Sequence, residues 1–362
     1  MPEKIGCLHL PIDRLHVELT NICNFACEFC PDSRMKRPRG KMSLDMVKAM
    51  LDEVSSTKIA RLVLFHVMGE PTLYPHLIET VYYAKQKNVD VCITTNGSLM
   101  DAKMLEELIN AGVSRIILSL QTPDEKTFRL RGARGLSFEQ YSDNISNLAK
   151  RFFKNTGRTK LTLSFLSSPL RRLIIPVAPE MSIADRSDDL RKHLLTWAER
   201  ILKDSSTNKM LEKIKKDIRR AWTFKENKIY INENISFHTR ILGDWATHAS
   251  EKKIIKAKFG YCPGIQENFG ILWNGDYVFC CTDFDGKTTT HNFNKTAIIE
   301  YLKSEAVQRA AESFRRFRIV HPYCQRCIGD KTLLNTIVRQ IGSILYFKLY
   351  KKMFNWSRRD YD

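Results

Sequence analysis

Short apolar runs alternate along the first half of the chain with stretches whose apolar positions recur every three or four residues. Leu15 to Thr20 reads as a strand, Arg61 to Val67 as a second, Asp90 to Thr95 as a third and Arg115 to Leu120 as a fourth. Between them, Ser43 to Val54, Leu77 to Lys87 and Asp101 to Ala111 carry helical periodicity, with Ser43 and Asp101 as N-caps. Leu161 to Ser168 extends the series as a fifth strand, Asp188 to Leu202 as a helix and Lys228 to Phe237 as a sixth strand. Strand and helix in strict alternation imply parallel strands joined by crossover helices. The expected fold is therefore α/β, a partial (β/α)6 barrel open on one side. Gly69-Glu70-Pro71, Thr94-Thr95-Asn96-Gly97 and Ser119 stand at strand ends, the edge where ligands gather in such architectures.

After residue 240 the pattern changes. Asn268 to Asp283 reads as a hairpin, with Asn274-Gly275 as its turn between two apolar runs. A helical segment follows from about Lys295 to Phe317. The chain thus divides into a barrel over 1–240, a small hairpin-and-helix unit over 241–330 and a tail over 331–362. In the tail, Ile337, Val338, Ile341, Ile344 and Leu345 share one helical face, and Leu349, Tyr350, Met353, Phe354 and Trp356 continue it. With seven basic and two acidic residues, such a helix either lies on an anionic membrane or packs against the protein's own barrel.

Seven of the ten cysteines fall into two groups. Cys23, Cys27 and Cys30 follow the first strand on one loop, and three thiolates so spaced can hold three corners of a cubane iron–sulfur cluster. No fourth thiolate lies nearby, which leaves one iron open to an outside ligand. The second group is Cys262, Cys280, Cys324 and Cys327, the last two on an expected tight turn. Four thiolates make a closed site, for structural zinc or for a cubane. Cys281 adjoins Cys280, and either can ligate; Cys7, Cys92 and Cys281 otherwise read as small buried hydrophobes.

The triplet, Met68-Gly69-Glu70-Pro71, Thr94-Thr95-Asn96-Gly97 and Ser119-Leu120 together resemble the radical S-adenosylmethionine (radical SAM) superfamily over residues 15 to about 135. That resemblance implies a [4Fe–4S] cluster on Cys23, Cys27 and Cys30, its open iron chelated by S-adenosylmethionine. It places Phe29 against adenine, Gly69 and Glu70 at the methionine amine, and Asn96 and Ser119 at the ribose or methionine end. Arg131 would pair with the methionine carboxylate. Gln121 stands where relatives often carry Asp, and Lys160 to Ser168 would border the adenine. The later cysteines resemble the twitch domain, a short form of the SPASM domain, which implies one auxiliary [4Fe–4S] cluster, on Cys262, Cys280, Cys324 and Cys327.

The implied activity is generation of a 5′-deoxyadenosyl radical that takes a hydrogen atom from substrate, the auxiliary cluster accepting an electron. The resemblance points to dehydrogenation of an alcohol on a sugar-like or cyclitol substrate. Peptide modification, or a lipid-linked substrate at the membrane, is the alternative. An electron donor of flavodoxin or ferredoxin type is implied. No catalytic base stands out, and His66 reads as a core residue.

Composition narrows this picture in three ways. No apolar run approaches the ~20 residues that cross a bilayer, and the N-terminus lacks the apolar core of a secretory signal, so a cytoplasmic location is expected. Thiols in a reducing compartment suit metal sites more than disulfides. Finally, 58 Lys and Arg against 40 Asp and Glu give a net charge of +18, which favours acidic partners. A zinc protein binding nucleic acid is the reading from another class, but no recognisable RNA-binding motif interleaves basic and aromatic residues, so no specific nucleic acid is expected. Arg191 to Lys228, with twelve basic and five acidic residues, either lines an anionic substrate path or forms a solvated face.

Overall fold

The computed structural model describes residues 4–153, 157–169, 182–202, 208–243 and 253–350. A small hairpin (β1, Lys4–Ile5; β2, Leu8–His9) precedes the main sheet. Six strands then run parallel in chain order: β3 (Ile12–Val17), β4 (Ala60–Phe65), β5 (Val91–Thr95), β6 (Arg115–Gln121), β7 (Lys160–Ser167) and β9 (Ile235–Ile241). Crossover helices cover the outside. Their starts obey local chemistry: Ser43 Oγ accepts from Met46 N (3.3 Å), and Asp101 Oδ1 from Met104 N (2.8 Å).

Alternation along each strand sorts side chains by face. Leu15, Val17, Val63, Phe65, Ile93, Ile116, Leu118 and Leu163 belong to the large core that also takes in the covering helices. Leu64, Cys92 and Ile117 form a small apolar cluster on the opposite face, inside the curve of the sheet. Polar residues share that interior, which is therefore a cavity and not a packed core.

The sixth strand differs from expectation. Lys228 to Phe237 is a reversal: β8 (Asn227–Tyr230) runs antiparallel to β9. Asn232 makes the turn, its Oδ1 accepting from Asn234 N (2.9 Å) and Ile235 N (2.6 Å). The expected helix from Lys295 to Phe317 is likewise two helices, Ile298–Lys303 and Glu305–Arg315, because Ser304 takes an extended backbone (ψ 148°) and opens the second. Glu53, from the helix Leu44–Thr57, accepts Ile298 N and Ile299 N at 3.0 Å each, so an acidic side chain far away in sequence caps the first of them.

The hairpin at Asn274-Gly275 is present, as β10 (Asn268–Ile271) and β11 (Tyr277–Val278), with Gly275 at φ +89°. Its first strand also pairs parallel with β3, Phe269 beside Leu15 and Ile271 beside Val17. The sheet therefore continues past residue 240, in the order β11-β10-β3-β4-β5-β6-β7-β9-β8. Its edge strands, β11 and β8, are not hydrogen-bonded to each other, so the barrel is partial.

The tail helix, Leu333–Ile344, continues as a π-helical stretch over Leu345–Tyr350. It attaches by its polar side: Gln340 Oε1 accepts Lys258 N (2.8 Å), and Ser343 Oγ accepts Tyr261 N (3.0 Å). Leu333, Leu334, Ile337, Val338, Ile341 and Leu345 are exposed. Amphipathicity is thus inverted, with the apolar stripe outward. Met353, Phe354 and Trp356 lie outside the described residues. Among the described residues no helix is long and apolar enough to cross a membrane.

Candidate functional site

A cavity of about 530 Å³ opens at the carboxyl edge of the strands. Cys23, Cys27, Phe29 and Cys30 line it, together with Gly69, Glu70, Asn96, Ser119, Gln121 and Arg131. These residues, named singly for the first cluster and its ligand, therefore reach one space, whereas of Lys160 to Ser168 only Ser164 and Leu166 do. The cysteine loop is held on its outer side by backbone pairing: Ala26 N donates to Arg131 O (3.2 Å) and Glu28 N to Leu130 O (2.9 Å). That pairing depends on Gly132 at φ +54°, where a Cβ would come within 2.6 Å of the Ala26 carbonyl. Gly69, at φ +77°, is tighter still, with a Cβ placed 2.3 Å from the Thr20 carbonyl.

Glu70 is fully buried, and its carboxylate braces the site. It accepts from Thr95 Oγ1 (2.5 Å), Asn96 N (2.7 Å), Thr72 Oγ1 (2.8 Å) and Thr72 N (3.1 Å). Asn96 is similarly engaged, donating to Asn24 Oδ1 (2.8 Å) and accepting from Ser98 N (2.8 Å). Arg131 is buried and lies over the Phe25 ring. Its Nη1 donates to Ser119 O (2.6 Å) and to Gln121 Oε1 (2.7 Å), while its Nε is buried without a hydrogen-bond partner. Gln121 itself sits at φ +56°, where the β6–β7 register shifts. A guanidinium on the cavity wall suits a carboxylate-bearing ligand. Phe29 packs with Leu130, Leu166 and Ile183, a flat apolar wall at the same mouth.

Burial raises all three loop thiols, Cys23 to about 11 and Cys30 to about 12, with Cys27 also raised. The second group converges as well. Cys262 is pushed up to about 12 by burial and then by Cys280. Cys324 rises through burial and through Cys280, Cys327 and Cys262 together. Cys324 and Cys327 lie on the short helix Pro322–Ile328, not on a tight turn; three-residue spacing puts both thiols on one helical face. Cys280 acts on both Cys262 and Cys324, whereas Cys281 acts on Cys262 and lines the main cavity. Cys327 and Thr282 line it too, so the second cysteine group reaches the same space through one of its four members.

Among the described residues no three His, Cys, Asp or Glu side chains converge closely enough to grip one metal ion. Both groups offer thiolates, the donors that zinc sites and iron–sulfur clusters share.

Several participants lay outside the motifs. Glu18, at the end of β3, is buried and forms a salt bridge with Arg37. Its carboxylate also accepts Met68 N and Trp273 N, each at 3.2 Å. Arg37 Nε donates to Phe284 O (2.6 Å), and Asp285 Oδ1 accepts Lys36 N (2.7 Å). The segment after the first cysteines is thereby joined to the loop after Cys280. Arg14, His16, His66, Arg115, Arg240 and Asn268 also line the cavity. Burial and neighbouring positive charge lower His16 to about 3 and His66 to about 4. His66 is a cavity-wall residue. The arginines in the main cavity, Arg14, Arg115 and Arg240 on strands and Arg131 on the turn Arg129–Arg131, do not come from the basic 191–228 segment, although Lys228 lines a second, smaller cavity that shares Arg115 and Arg240.

Comparison with known proteins agrees with this geometry. Residues 17–165 match the model of the radical SAM superfamily, and residues 262–328 that of the SPASM iron–sulfur cluster-binding domain. The chain is 31% identical over 106 residues to the tungsten-containing aldehyde ferredoxin oxidoreductase cofactor-modifying protein of Pyrococcus furiosus, 29% of this chain and 30% of that protein. It is 30% identical over 121 residues to the S-adenosyl-L-methionine-dependent 2-deoxy-scyllo-inosamine dehydrogenase of Niallia circulans, 32% of this chain and 47% of that one. The match thus spans less than half the length of these curated relatives. Among solved structures, Streptococcus suis SuiB bound to precursor peptide SuiA aligns with TM-score 0.54 and 18% identity, over 86% of this chain and 69% of that one. AnSMEcpe with bound AdoMet aligns with TM-score 0.51 and 13% identity, over 96% and 100%. At such identity these structures show the shared fold.

Proposed function

Because the chain carries a radical SAM domain and a SPASM iron–sulfur domain, whose cofactors are S-adenosylmethionine and [4Fe–4S] clusters, we propose that it is a radical SAM oxidoreductase using two such clusters. The observation that carries this reading is that the first cysteine group and Cys327 of the second border one cavity. Cys23, Cys27 and Cys30 would hold the first cluster, and Cys262, Cys280, Cys324 and Cys327 the second. When bound, the first cluster with S-adenosylmethionine supplies a 5′-deoxyadenosyl radical, and the second supplies an electron acceptor.

The chain's own part is to orient and to exclude water. Gly69 and Gly132 let backbone approach backbone around the cysteine loop. Arg131, at the cavity wall, would supply the positive charge for the methionine carboxylate, and Phe29 offers adenine an apolar wall. Glu70 keeps the loops after β4 and β5 together.

Dehydrogenation of a secondary alcohol on a sugar-like or cyclitol substrate is the activity favoured. It removes one hydrogen atom, one electron and the hydroxyl proton. The dehydrogenase of Niallia circulans supports this reading; SuiB, whose fold is shared, makes peptide modification the competing one. The net charge of +18 suits an acidic donor such as flavodoxin or ferredoxin.

A second reading, action at a membrane on a lipid-linked substrate, is favoured by the outward apolar stripe of Leu333–Ile344. Flotation with phosphatidylglycerol vesicles, lost in Ile337→Ser/Ile341→Ser, would support it; no flotation would remove it. The main reading is tested anaerobically. Reconstituted protein should hold about eight irons and release 5′-deoxyadenosine with dithionite, and Cys27→Ser should abolish release. Intact S-adenosylmethionine under all conditions would refute it.

A further inference from the structure

The main cavity has two chemically different ends. At the mouth are the cysteine loop and the residues around Glu70 and Arg131. At the depth, three guanidiniums converge: Arg14 from β3, Arg115 from β6 and Arg240 from β9 all line the space. The Cys92 thiol on β5 lies within electrostatic reach of all three. His16 lies within reach of Arg14 and Arg240, and His66 of Arg240. The histidine rings are 6.3 Å apart. Positive charge is therefore concentrated on one patch of the interior, contributed by strands far apart in sequence.

The acidic residues lining the cavity are Asp32 and Glu70, both at the other end. Asp32 is paired with Arg39, at 2.6 and 2.9 Å, and Glu70 is occupied by its four donors. Asn268 stands directly beside Arg14 in the β3–β10 register, and its side-chain oxygen is buried without a hydrogen-bond partner. Three guanidiniums lining one space, with the Asn268 amide beside Arg14, offer donors suited to an anion.

We propose that this patch binds a phosphoryl group of the substrate, held by Arg14, Arg115 and Arg240 with Asn268. Planar guanidiniums match the tetrahedral oxygens pairwise. Held there, the substrate extends toward the mouth, where the cysteine loop lies. The inference rests on the reading of that mouth as the radical-generating site and adds the chemical class of the substrate: a phosphorylated small molecule, rather than a neutral cyclitol or a peptide.

The test is calorimetric titration of the cluster-loaded protein with inorganic phosphate and pyrophosphate, with acetate and succinate as carboxylate probes. The phosphate probes should bind, and Arg14→Gln and Arg240→Gln should each weaken binding about tenfold or more. Arg240→Lys should restore part of the loss, which a merely misfolded variant would not do. In the wild type, NMR of labelled His16 should show its pKa climbing from about 3 as phosphate fills the site. Absence of phosphate binding, binding indifferent to both arginine substitutions, or succinate binding as tightly as phosphate would each overturn the inference. S-adenosylmethionine titrated into the same wild-type sample separates the two readings. If it binds while phosphate does not, only this inference fails. If phosphate binds while S-adenosylmethionine does not, the reading of the mouth fails and the anion site stands.

Discussion

Glu18→Gln probes the joint between the two cysteine-bearing regions. The carboxylate accepts two guanidinium bonds from Arg37 and one backbone bond each from Met68 and Trp273. Each oxygen serves one guanidinium N–H and one peptide N–H. A glutamine keeps one such oxygen and turns an NH2 group onto the other two donors. One charge-assisted bond, about 1.5–3 kcal/mol, and one neutral bond, about 1 kcal/mol, are lost. Arg37, its side chain only 10% exposed, is left without its counter-charge. A total of about 3–5 kcal/mol follows, the range for breaking a buried pair. For a chain of this length that corresponds to a melting shift of roughly 4–7 °C. Anaerobic guanidinium denaturation of Glu18→Gln, Arg37→Met and the double variant provides the cycle. The double variant should cost at least about 2 kcal/mol less than the sum of the single ones. Additive losses, or a loss under about 1 kcal/mol for Glu18→Gln, would show that the pair does not couple the regions.

Three further outcomes are expected. Gly69→Ala forces a Cβ into the Thr20 carbonyl at a positive φ and should weaken S-adenosylmethionine binding more than tenfold in equilibrium dialysis, backbone strain alone costing about 1–2 kcal/mol; unchanged affinity would refute the tight approach. Cys280→Ser should lower iron content by about four per chain, whereas Cys281→Ser should not; equal losses would contradict the assignment of Cys280. His16 and His66 have folded values of about 3 and about 4, below the unfolded value of about 6.5. The unfolded chain therefore binds more protons at acid pH, so their contribution is complete above 6.5 and is lost as pH falls toward 4 and 3. His16→Gln should flatten that acid limb of the stability curve, and an unaltered limb would count against a neutral buried imidazole.

Much of the barrel is legible without tertiary information because its rules are local. Ser43 and Asp101 announce helix starts through a side-chain oxygen three residues from the N–H it accepts. Cys23, Cys27 and Cys30 lie within one loop, so their spacing alone brings them together. Short-range chemistry also marks Asn274-Gly275 as a turn. Where local signals competed, the reading slipped: an apolar run hid the Asn232 reversal between β8 and β9, and helical periodicity hid the break at Ser304.

Sequence by itself determined the alternation of strand and helix, the two cysteine groups and the motifs at the strand ends, since each depends on residues a few positions apart. Only the tertiary structure decided what spans the chain: β10 lying beside β3, Glu18 reaching Arg37, Met68 and Trp273, and Arg14, Arg115 and Arg240 meeting in one cavity. It also turned the apolar stripe of the last helix outward, because Gln340 and Ser343 found backbone partners on the protein and the leucines and isoleucines did not. Periodicity specifies that a helix has two faces; which face is covered depends on the partners that folding brings alongside.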